Sequence, residues 1–249
     1  LVEMGGLHLL MSGFQKMEQL PLDLQQEILI QVGINIKKEE LREVPPVEDV
    51  WLVVGQEEGQ NSDDQLIFRR TWLAGETTQH LGLILEFVWG AASFETNYRM
   101  GEMYRGTVAF YPGAYPLRIQ PQQLSRISES FLATGKEDFS IFAKYAATAL
   151  GKNPWLSMIP VVLDQVVPIY EKEQFFLIDN KKRKLPCQTT EAVGWKMMGT
   201  SAGRPIAIFA EWNFEYIEPI SAFVEDQFII LRPYKPAERP QPVWTRFRQ

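Results

Sequence analysis

The double proline that follows Val44 is the feature that most constrains the fold of this 249-residue chain. Neither proline has a backbone N–H to donate, and a proline disfavours helical backbone in the residue before it. Apolar residues recur at helical spacing before this point and at strand spacing after it. The sequence therefore predicts a helical segment over residues 1–46 and a β-rich body beyond it.

The segment before the prolines predicts two helices and a turn. One helix is expected from about Leu1 to Leu20, where five apolar residues share a face: Leu7, Leu10, Met11, Phe14 and Met17. A second helix is predicted after Pro21, with Gly33 at its end, because glycine terminates helices readily. Residues 37–42 are charged and predict one short helical turn.

Residues 47–120 predict a first antiparallel β unit. Three strands at Val50–Gly55, Leu66–Ala74 and Leu81–Trp89 are separated by polar or turn-forming residues, which is typical of a meander. The polar stretch Glu57–Gln65 is predicted to be a loop of ordinary length. A fourth strand is expected at Gly106–Tyr111.

Residues 121–154 predict a pair of helices, and residues 155–232 predict a second antiparallel β unit. The helices are expected at Gln122–Leu132 and Lys136–Leu150, and the GKNP sequence that follows ends the second one. The strands expected beyond them are Pro160–Ile169, Gln174–Asp179, Lys184–Gln188, Pro205–Trp212, Tyr216–Val224 and Gln227–Arg232, with one or two helical turns at Glu191–Met198.

The fold class that follows is α+β, built from antiparallel meanders or partial barrels that are each preceded by helices. Residues 233–249 are rich in proline and show no apolar period. We therefore expect an extended tail there, which docks on a neighbour through Trp244 and Phe247.

The charge of the chain disfavours nucleic-acid binding. The formal net charge is -6 and the pI is near 5.2, whereas neutralising phosphates requires an excess of positive charge. Four consecutive cations are the exception: Lys181, Lys182, Arg183 and Lys184. They follow Asp179-Asn180 between two apolar stretches, which favours a solvated hairpin turn and leaves a nucleic-acid patch as the alternative.

Cysteine and histidine are too scarce for a disulfide or a zinc site. Cys187 is the single cysteine, and only His8 and His80 join it, whereas structural zinc needs four such ligands. No cofactor is therefore expected in this chain. A lone cysteine suits a reducing compartment, and prolines interrupt the longest apolar run, Trp155–Tyr170. We expect a cytoplasmic protein with no membrane partner.

No motif predicts catalysis. His80 shares the first β unit with Asp63 and Asp64, but neither a G-x-S-x-G elbow nor an activated cysteine accompanies them. We interpret His80 as a turn residue and keep a hydrolase as a less favoured alternative. Gly199–Arg204 lacks the spacing of a phosphate-binding loop. Cys187 is interpreted as a buried small hydrophobe.

Charged residues inside the strands predict ion pairs. Arg69 and Arg70 are adjacent in the second strand, so alternation sends one to each face. We expect one in water and the other paired with an acid such as Glu86 on the adjacent strand. Glu211 also lies inside a strand and is expected to pair with a neighbouring strand.

The segment Phe110–Arg118, with the sequence FYPGAYPLR, is interpreted as a stiff corner. Pro112 and Gly113 suit the two central positions of a type II turn, and Pro116 holds Tyr115 extended. A ligand-binding role for its tyrosines is the less favoured alternative.

Seven segments occur in an order that resembles the downstream region of bacterial SWIM zinc-finger family proteins. They are GGLHLLMSGFQKMEQLP, DVWLVVGQ, RRTWLAGE, LGLILEF, VAFYPGAYPLR, KNPWLSMIPVVLDQVVP and RPIAIFAEWN. The resemblance extends to about Leu231 and rests on spaced segments rather than on a catalytic signature.

The zinc-binding CxCx(n)CxH motif of that family is absent from this sequence. Zinc is therefore expected only in the upstream motif of family members, and the chain is either a piece of a longer protein or a member without the finger. By resemblance, we expect a non-catalytic interaction or scaffold module, with partners such as an AAA-type ATPase or a von Willebrand factor A-domain protein. A nucleic-acid-binding accessory protein that uses Lys181 to Lys184 is the alternative, followed by a hydrolase that uses His80.

Overall fold

The computed structural model describes residues 2–60, 66–90, 92–129, 131 and 133–237. Over these ranges the chain is α+β, with two antiparallel sheets and four α-helices, as the sequence predicts. Each sheet curls, and the two sheets pack against each other through a shared apolar layer.

The helical segment at the start consists of α1, Val2–Gln15, and α2, Leu22–Gln31, joined by a short 3₁₀ turn. The two helices approach closely, since a β-carbon added at Gly13 would lie 2.9 Å from Ile28 Cδ1. A second 3₁₀ turn at Glu40–Glu43 confirms the predicted charged turn.

The first sheet has five strands. They are β1 Val47–Gln60, β2 Leu66–Gly75, β3 Leu81–Trp89, β4 Met103–Phe110 and β5 Ile119–Ile127. Their order is β3-β2-β1-β4-β5, which confirms the meander of the first three strands and places β4 on the other side of β1. The loop predicted from Glu57 is wrong in its first part, because β1 continues to Gln60 in register with β2. Residues 61–65 lie outside the described ranges.

The helix predicted at Gln122–Leu132 is wrong, because residues 119–127 form the edge strand β5 against β4. Helix propensity is a weak preference, and cross-strand pairing outweighs it here. Pro121 fits because an edge strand has one side without ladder hydrogen bonds. The first β unit therefore extends past residue 120, and the pair of helices predicted over residues 121–154 is reduced to one.

The first sheet curls until its two edges meet. The Leu83 N–H of β3 donates to the Leu117 carbonyl, just before β5, at 2.7 Å. The Trp51 indole N–H donates to the Gly106 carbonyl at 3.1 Å, so the ring nitrogen has a partner. Around Trp51 lies an apolar core of buried residues: Val53, Leu73, Ile84, Tyr104, Val108 and Ile119. The first unit is therefore a curled antiparallel sheet whose edges approach each other.

The second sheet has six strands. They are β6 Ile159–Glu171, β7 Gln174–Ile178, β8 Lys184–Pro186, β9 Ile206–Trp212, β10 Ile217–Val224 and β11 Gln227–Ile230, in the order β11-β10-β9-β6-β7-β8. The strands predicted for this unit are confirmed. The chain after β8 returns to β10, where the Gln188 N–H donates to the Ile217 carbonyl at 2.9 Å, so this sheet curls as well.

Two helices pack on the second sheet, α3 Phe139–Lys152 and α4 Glu191–Ser201. Their N-caps are Asp138 and Thr190, whose side chains accept hydrogen bonds from backbone N–H groups of the first turn. Cys187 is buried in the core beneath them, as predicted. That core also contains Phe142, Ala146, Met197, Ile208 and Ala210.

An apolar layer joins the two sheets. The first sheet contributes Leu52, Val54 and Trp72, and the second contributes Val162, Phe209, Ile220 and Phe223. Within this layer the buried Ser221 hydroxyl donates to the Val54 carbonyl at 2.7 Å. The two predicted β units therefore share one core.

The start of the predicted tail lies against the first sheet. The Tyr234 hydroxyl donates to the Glu58 carboxylate, and the Ala237 N–H donates to the same group at 2.9 Å. The predicted docking residues Trp244 and Phe247 lie outside the described residues.

Candidate functional site

A cavity of about 350 Å³ lies where β3, the Phe110–Arg118 segment, α3 and β6 come together. Its walls are mostly apolar and include Ala74, Leu81, Phe110, Pro116, Leu117, Ala133, Val161 and Val162. This volume is at the lower end of the range for sites that bind small molecules. The cavity is therefore of a size for a small organic ligand.

The Phe110–Arg118 segment reverses direction and closes on itself. The Tyr111 N–H donates to the Arg118 carbonyl at 2.9 Å, and the Arg118 guanidinium lies 4.4 Å from the centroid of the Tyr111 ring. The predicted type II turn is wrong, because the φ of Gly113 is not positive. Glycine fits there because of a close neighbour, since an added β-carbon would lie 3.0 Å from Glu27 Oε2.

Two tyrosines form one wall of the cavity. Tyr115 of the corner and Tyr145 of α3 meet edge to face with ring centroids 6.4 Å apart. The Tyr145 hydroxyl donates to the Pro160 carbonyl at 3.2 Å. Burial raises the pKa of both phenols, so both are uncharged at neutral pH. Tyr115 thus contributes to a cavity, which favours the ligand-binding alternative for this segment.

Three basic side chains line the cavity, and none of the described residues that line it is acidic. The basic residues are His80, Lys136 and Lys152. The Lys136 N–H donates to the Val162 carbonyl at 2.7 Å, and the Lys136 carbonyl accepts from the Asp164 N–H at 2.9 Å, so the backbone at Lys136 is held against β6. The Lys136 ammonium lies 5.0 Å from the centroid of the Tyr145 ring, within cation–π range.

Neither lysine of the cavity forms an ion pair with any residue that the structure describes. Lys152 is exposed at the end of α3, and Lys136 is half-buried. In a chain with a net charge of -6, the cavity is therefore a local site of positive charge.

His80 lies at the rim of the cavity, without an acidic partner among the described residues. Its ring meets Phe110 edge to face with centroids 5.6 Å apart, and the residue is exposed. Its carbonyl accepts from the Gly75 N–H at 2.9 Å, which closes the turn between β2 and β3 and confirms the interpretation as a turn residue. Asp63 and Asp64 lie outside the described ranges, so the hydrolase stays a prediction.

The basic run over residues 181–184 begins in the turn between β7 and β8, as predicted. Asp179 organises this turn, since its carboxylate accepts from the backbone N–H groups of Lys181 and Arg183 at 3.0 and 2.9 Å. The Asp179 N–H in turn donates to the Arg183 carbonyl at 3.1 Å. Lys182 adopts a φ of 61°, which the reversal of the chain requires.

Acids neutralise most of the positive charge of this run. The ion pairs are Lys181–Asp138 at 2.6 Å, Arg183–Asp138 at 3.1 Å, Arg183–Asp179 and Lys184–Glu171. Over the described ranges, Lys182 is the one cation of the run without an ion pair. The turn therefore has little unpaired charge for phosphates, and nucleic-acid binding at this run stays a prediction.

The pKa values of Asp138 and Asp179 are both lowered. For Asp138, the hydrogen bond from Lys181 is the largest cause of the lower pKa. For Asp179, burial alone would raise the pKa, but the Arg183 side chain and backbone donors outweigh it. One of these donors is the Phe139 N–H at 3.1 Å. The ionised carboxylates of Asp138 and Asp179 thus connect the turn to the first residues of α3.

The paired arginines of β2 lie on opposite faces, as predicted. Arg69 pairs with Glu86 of β3 at 2.7 Å. The expectation that the other arginine lies in water is wrong, because the second sheet covers Arg70. Arg70 pairs with Glu211 of that sheet at 3.1 Å, and the Trp72 indole N–H donates to the same carboxylate at 2.5 Å. Glu211 therefore pairs across the sheets and not with a neighbouring strand.

Helix α1 carries an apolar stripe, which we define as Met4, Leu7, Met11 and Phe14. All four side chains are more than half exposed, from 54% for Phe14 to 75% for Met4. The sequence predicts Leu7, Met11 and Phe14 on the same face as Leu10 and Met17, but only the latter two are half-buried. The predicted face is therefore split into an inner and an outer stripe.

Glycine explains why the larger side chains of α1 lie outside. Gly13 lies on the inner side, where Ile28 of α2 leaves no room for a β-carbon. The Gly6 carbonyl accepts a long hydrogen bond, 3.4 Å, from the Trp155 indole N–H. The sequence indicates the outer stripe by the spacing of its four residues, which is three, four and three. The glycines belong to the inner stripe.

Neither a metal site nor a membrane-spanning helix is found in the part of the chain that the structure describes. No three His, Cys, Asp or Glu residues are grouped to hold a metal ion, and no helix there is long and apolar enough to span a bilayer. No protein-family model matches the chain, and neither a curated protein nor a solved structure matches it significantly. The resemblance to SWIM zinc-finger family proteins stays a prediction.

Proposed function

We propose that this chain is a non-catalytic protein-interaction module and that the apolar stripe of α1 is its docking surface. The observation that carries the proposal is the exposure of all four side chains along one side of one helix. Contiguous apolar surface of this kind is unusual on a protein that has no partner, and it marks interaction sites.

A helix of a partner protein suits the stripe. Spacing of three, four and three residues is the spacing at which one helix packs against another. Full burial of one leucine or phenylalanine side chain stabilises a contact by about 1.5–3 kcal/mol, so four such side chains supply a specific interaction even when each is partly buried.

A membrane surface suits the stripe less well. Amphipathic helices that lie on anionic membranes carry lysine or arginine on their polar face, and Val2–Gln15 contains neither. We therefore propose a protein helix as the occupant. The resemblance to SWIM zinc-finger family proteins makes an AAA-type ATPase and a von Willebrand factor A-domain protein the first candidates.

The test compares two leucines on opposite sides of α1. Leu7 belongs to the stripe, whereas Leu9 points away from it, and the two are 58% and 44% exposed. Proteins that bind the wild-type chain are identified by affinity purification, and their affinities are measured by biolayer interferometry with Leu7→Glu and Leu9→Glu. We expect Leu7→Glu to weaken binding at least about tenfold and Leu9→Glu less than about twofold.

Equal losses in the two variants would overturn the proposal. Sedimentation velocity supplies the second readout. Self-association of the wild type that Leu7→Glu abolishes would make a second copy of this chain the occupant, and would overturn the proposal of a different partner protein.

A further inference from the structure

The basic cavity beside Tyr115 is separate from the α1 stripe, because no residue of α1 lines it. The positive charge of the cavity indicates which class of ligand it binds. In the turn over residues 181–184, Lys181 is paired with Asp138 and Lys184 with Glu171. Lys136 instead faces a tyrosine ring beside an apolar space.

A half-buried ammonium without an anion is unfavourable relative to one that is paired. The short backbone hydrogen bonds of Lys136 to β6, at 2.7 and 2.9 Å, hold its Cα at the wall of the cavity. The Tyr145 ring then limits where the ammonium lies. A cation that is held in place before its partner arrives is favourable for binding an anion.

The apolar walls indicate that the ligand has an apolar body. Leu81, Leu117 and Val162 line the cavity, and the rings of Phe110 and Tyr115 complete it. These surfaces suit an aliphatic or aromatic group, and they give a purely polar anion such as inorganic phosphate nothing to contact.

The polar groups of the cavity limit the charge of the ligand. None of the described lining residues is acidic, so an ammonium group on the ligand would find no counter-ion there. The described lining also contains no arginine for bidentate phosphate contacts. Lys152 is the last residue of α3, and the carbonyl end of a helix disfavours multiply charged anions.

We propose that this cavity binds small monocarboxylates that have an apolar or aromatic body and no amino group. Lys136 pairs with the carboxylate, Lys152 adds positive charge at the rim, His80 adds a hydrogen-bonding ring there, and the apolar walls enclose the body of the ligand.

Four probes test the chemistry by isothermal titration with the full chain. They are phenylacetate, the neutral phenylacetamide, phenyl phosphate and phenylalanine. We expect phenylacetate to bind about tenfold more tightly than phenylacetamide, as one partly buried ion pair implies. Phenyl phosphate and phenylalanine are expected to bind more weakly than phenylacetate.

Three variants test the location. Lys136→Gln is expected to reduce phenylacetate affinity about tenfold and to leave phenylacetamide binding unchanged. Lys182→Gln is the control, because it removes one unpaired lysine that is distant in the sequence. It is expected to change neither the phenylacetate affinity nor the phenylacetamide affinity. Thr134 is exposed on the rim of the cavity, so Thr134→Trp is expected to block both ligands without disturbing the core.

The proposal is overturned if phenylacetate and phenylacetamide bind equally, if no probe binds at millimolar concentration, or if Lys136→Gln and Lys182→Gln behave alike. Tighter binding of phenyl phosphate or phenylalanine than of phenylacetate would also overturn it, because the ligand class would then be different. Circular dichroism and thermal melting of each variant show whether its fold is intact. A Thr134→Trp variant that is folded and still binds phenylacetate would contradict the location.

Discussion

The turn over residues 181–184 and the cavity around Lys136 are both basic, but their charges have different surroundings. In the turn, Lys181 and Arg183 contact the carboxylates of Asp138 and Asp179. In the cavity, the described lining contains no carboxylate at all. The first set of cations therefore stabilises the fold, whereas the second set is open to a ligand.

The difference shows that charge density along the sequence does not identify a binding site. The four consecutive cations of the turn are the more conspicuous signal, yet Asp138, more than forty positions away, neutralises part of them from the start of α3. Lys136 is an isolated lysine in the sequence and becomes part of a positive site only through the fold.

Removing the central acid of the turn is expected to have the largest effect. Asp179 is buried and accepts hydrogen bonds from Phe139, Lys181 and Arg183. Asp179→Ala leaves these backbone donors without their partner and removes one of the two carboxylates that pair with the Arg183 guanidinium, and we expect a loss of about 3 kcal/mol in the free energy of unfolding.

Urea denaturation measures this loss, with Asp226→Ala as the control. Asp226 is exposed in the turn between β10 and β11, so its substitution is expected to change the free energy of unfolding by less than about 0.5 kcal/mol. Similar values for the two variants would mean that the turn does not fasten α3.

Removing a cation of the turn is expected to have a smaller effect. The Arg183 side chain is 37% exposed, so solvent screens its ion pairs, and Arg183→Gln is expected to lower the free energy of unfolding by less than Asp179→Ala does. The same variant tests the nucleic-acid alternative. If DNA affinity of the wild type falls steeply with salt and is lost in both Arg183→Gln and Lys182→Gln, the run binds nucleic acid in addition to stabilising the turn.

The lowered pKa of Asp138 predicts a dependence of stability on pH. The ordinary pKa of aspartate is 3.8, and the folded pKa lies below it. The stabilisation is therefore present above pH 3.8 and is lost as the pH falls through the folded pKa. Urea midpoints are expected to fall between about pH 4 and pH 2 in the wild type, and by less in Asp138→Asn. Parallel pH profiles would contradict this.

The smallest effect is expected at the rim of the cavity. Lys152 is exposed, so its charge acts on a bound carboxylate through solvent. Lys152→Gln is expected to weaken phenylacetate binding about twofold at low salt, and the difference is expected to disappear at high salt. A tenfold loss that does not depend on salt would make Lys152 a direct contact in place of Lys136.

The sequence predicts the strands well because their signals are local. Apolar stretches bounded by polar or turn-forming residues mark β1, β2 and β3, and adjacency of strands predicts the Arg69–Glu86 pair. The sequence misassigns residues 122–127, because pairing of β5 with β4 decides their structure and leaves no local signal. It places one of the two arginines in water for a similar reason, since the second sheet, which has no signal near this strand in the sequence, covers Arg70.

The sequence predicts little of the cavity, because its residues come from distant segments. His80, Tyr115, Lys136, Tyr145 and Val162 are each ordinary in their local context. The fold brings them together where the corner meets α3 and β6. The sequence does mark the Phe110–Arg118 corner as distinctive, because its prolines and glycine predict a rigid turn. Its place on the cavity wall depends on distant segments, and no local pattern predicts it.

The contrast between the cavity and the turn over residues 181–184 is tested most directly by measuring two properties of one variant from each site. Phenylacetate affinity and the free energy of unfolding are measured for Lys136→Gln and Arg183→Gln side by side. We predict that Lys136→Gln loses about tenfold in affinity at nearly unchanged stability, while Arg183→Gln loses stability and keeps its affinity. Loss of stability in Lys136→Gln without loss of affinity, or the same pattern in both variants, would contradict the account.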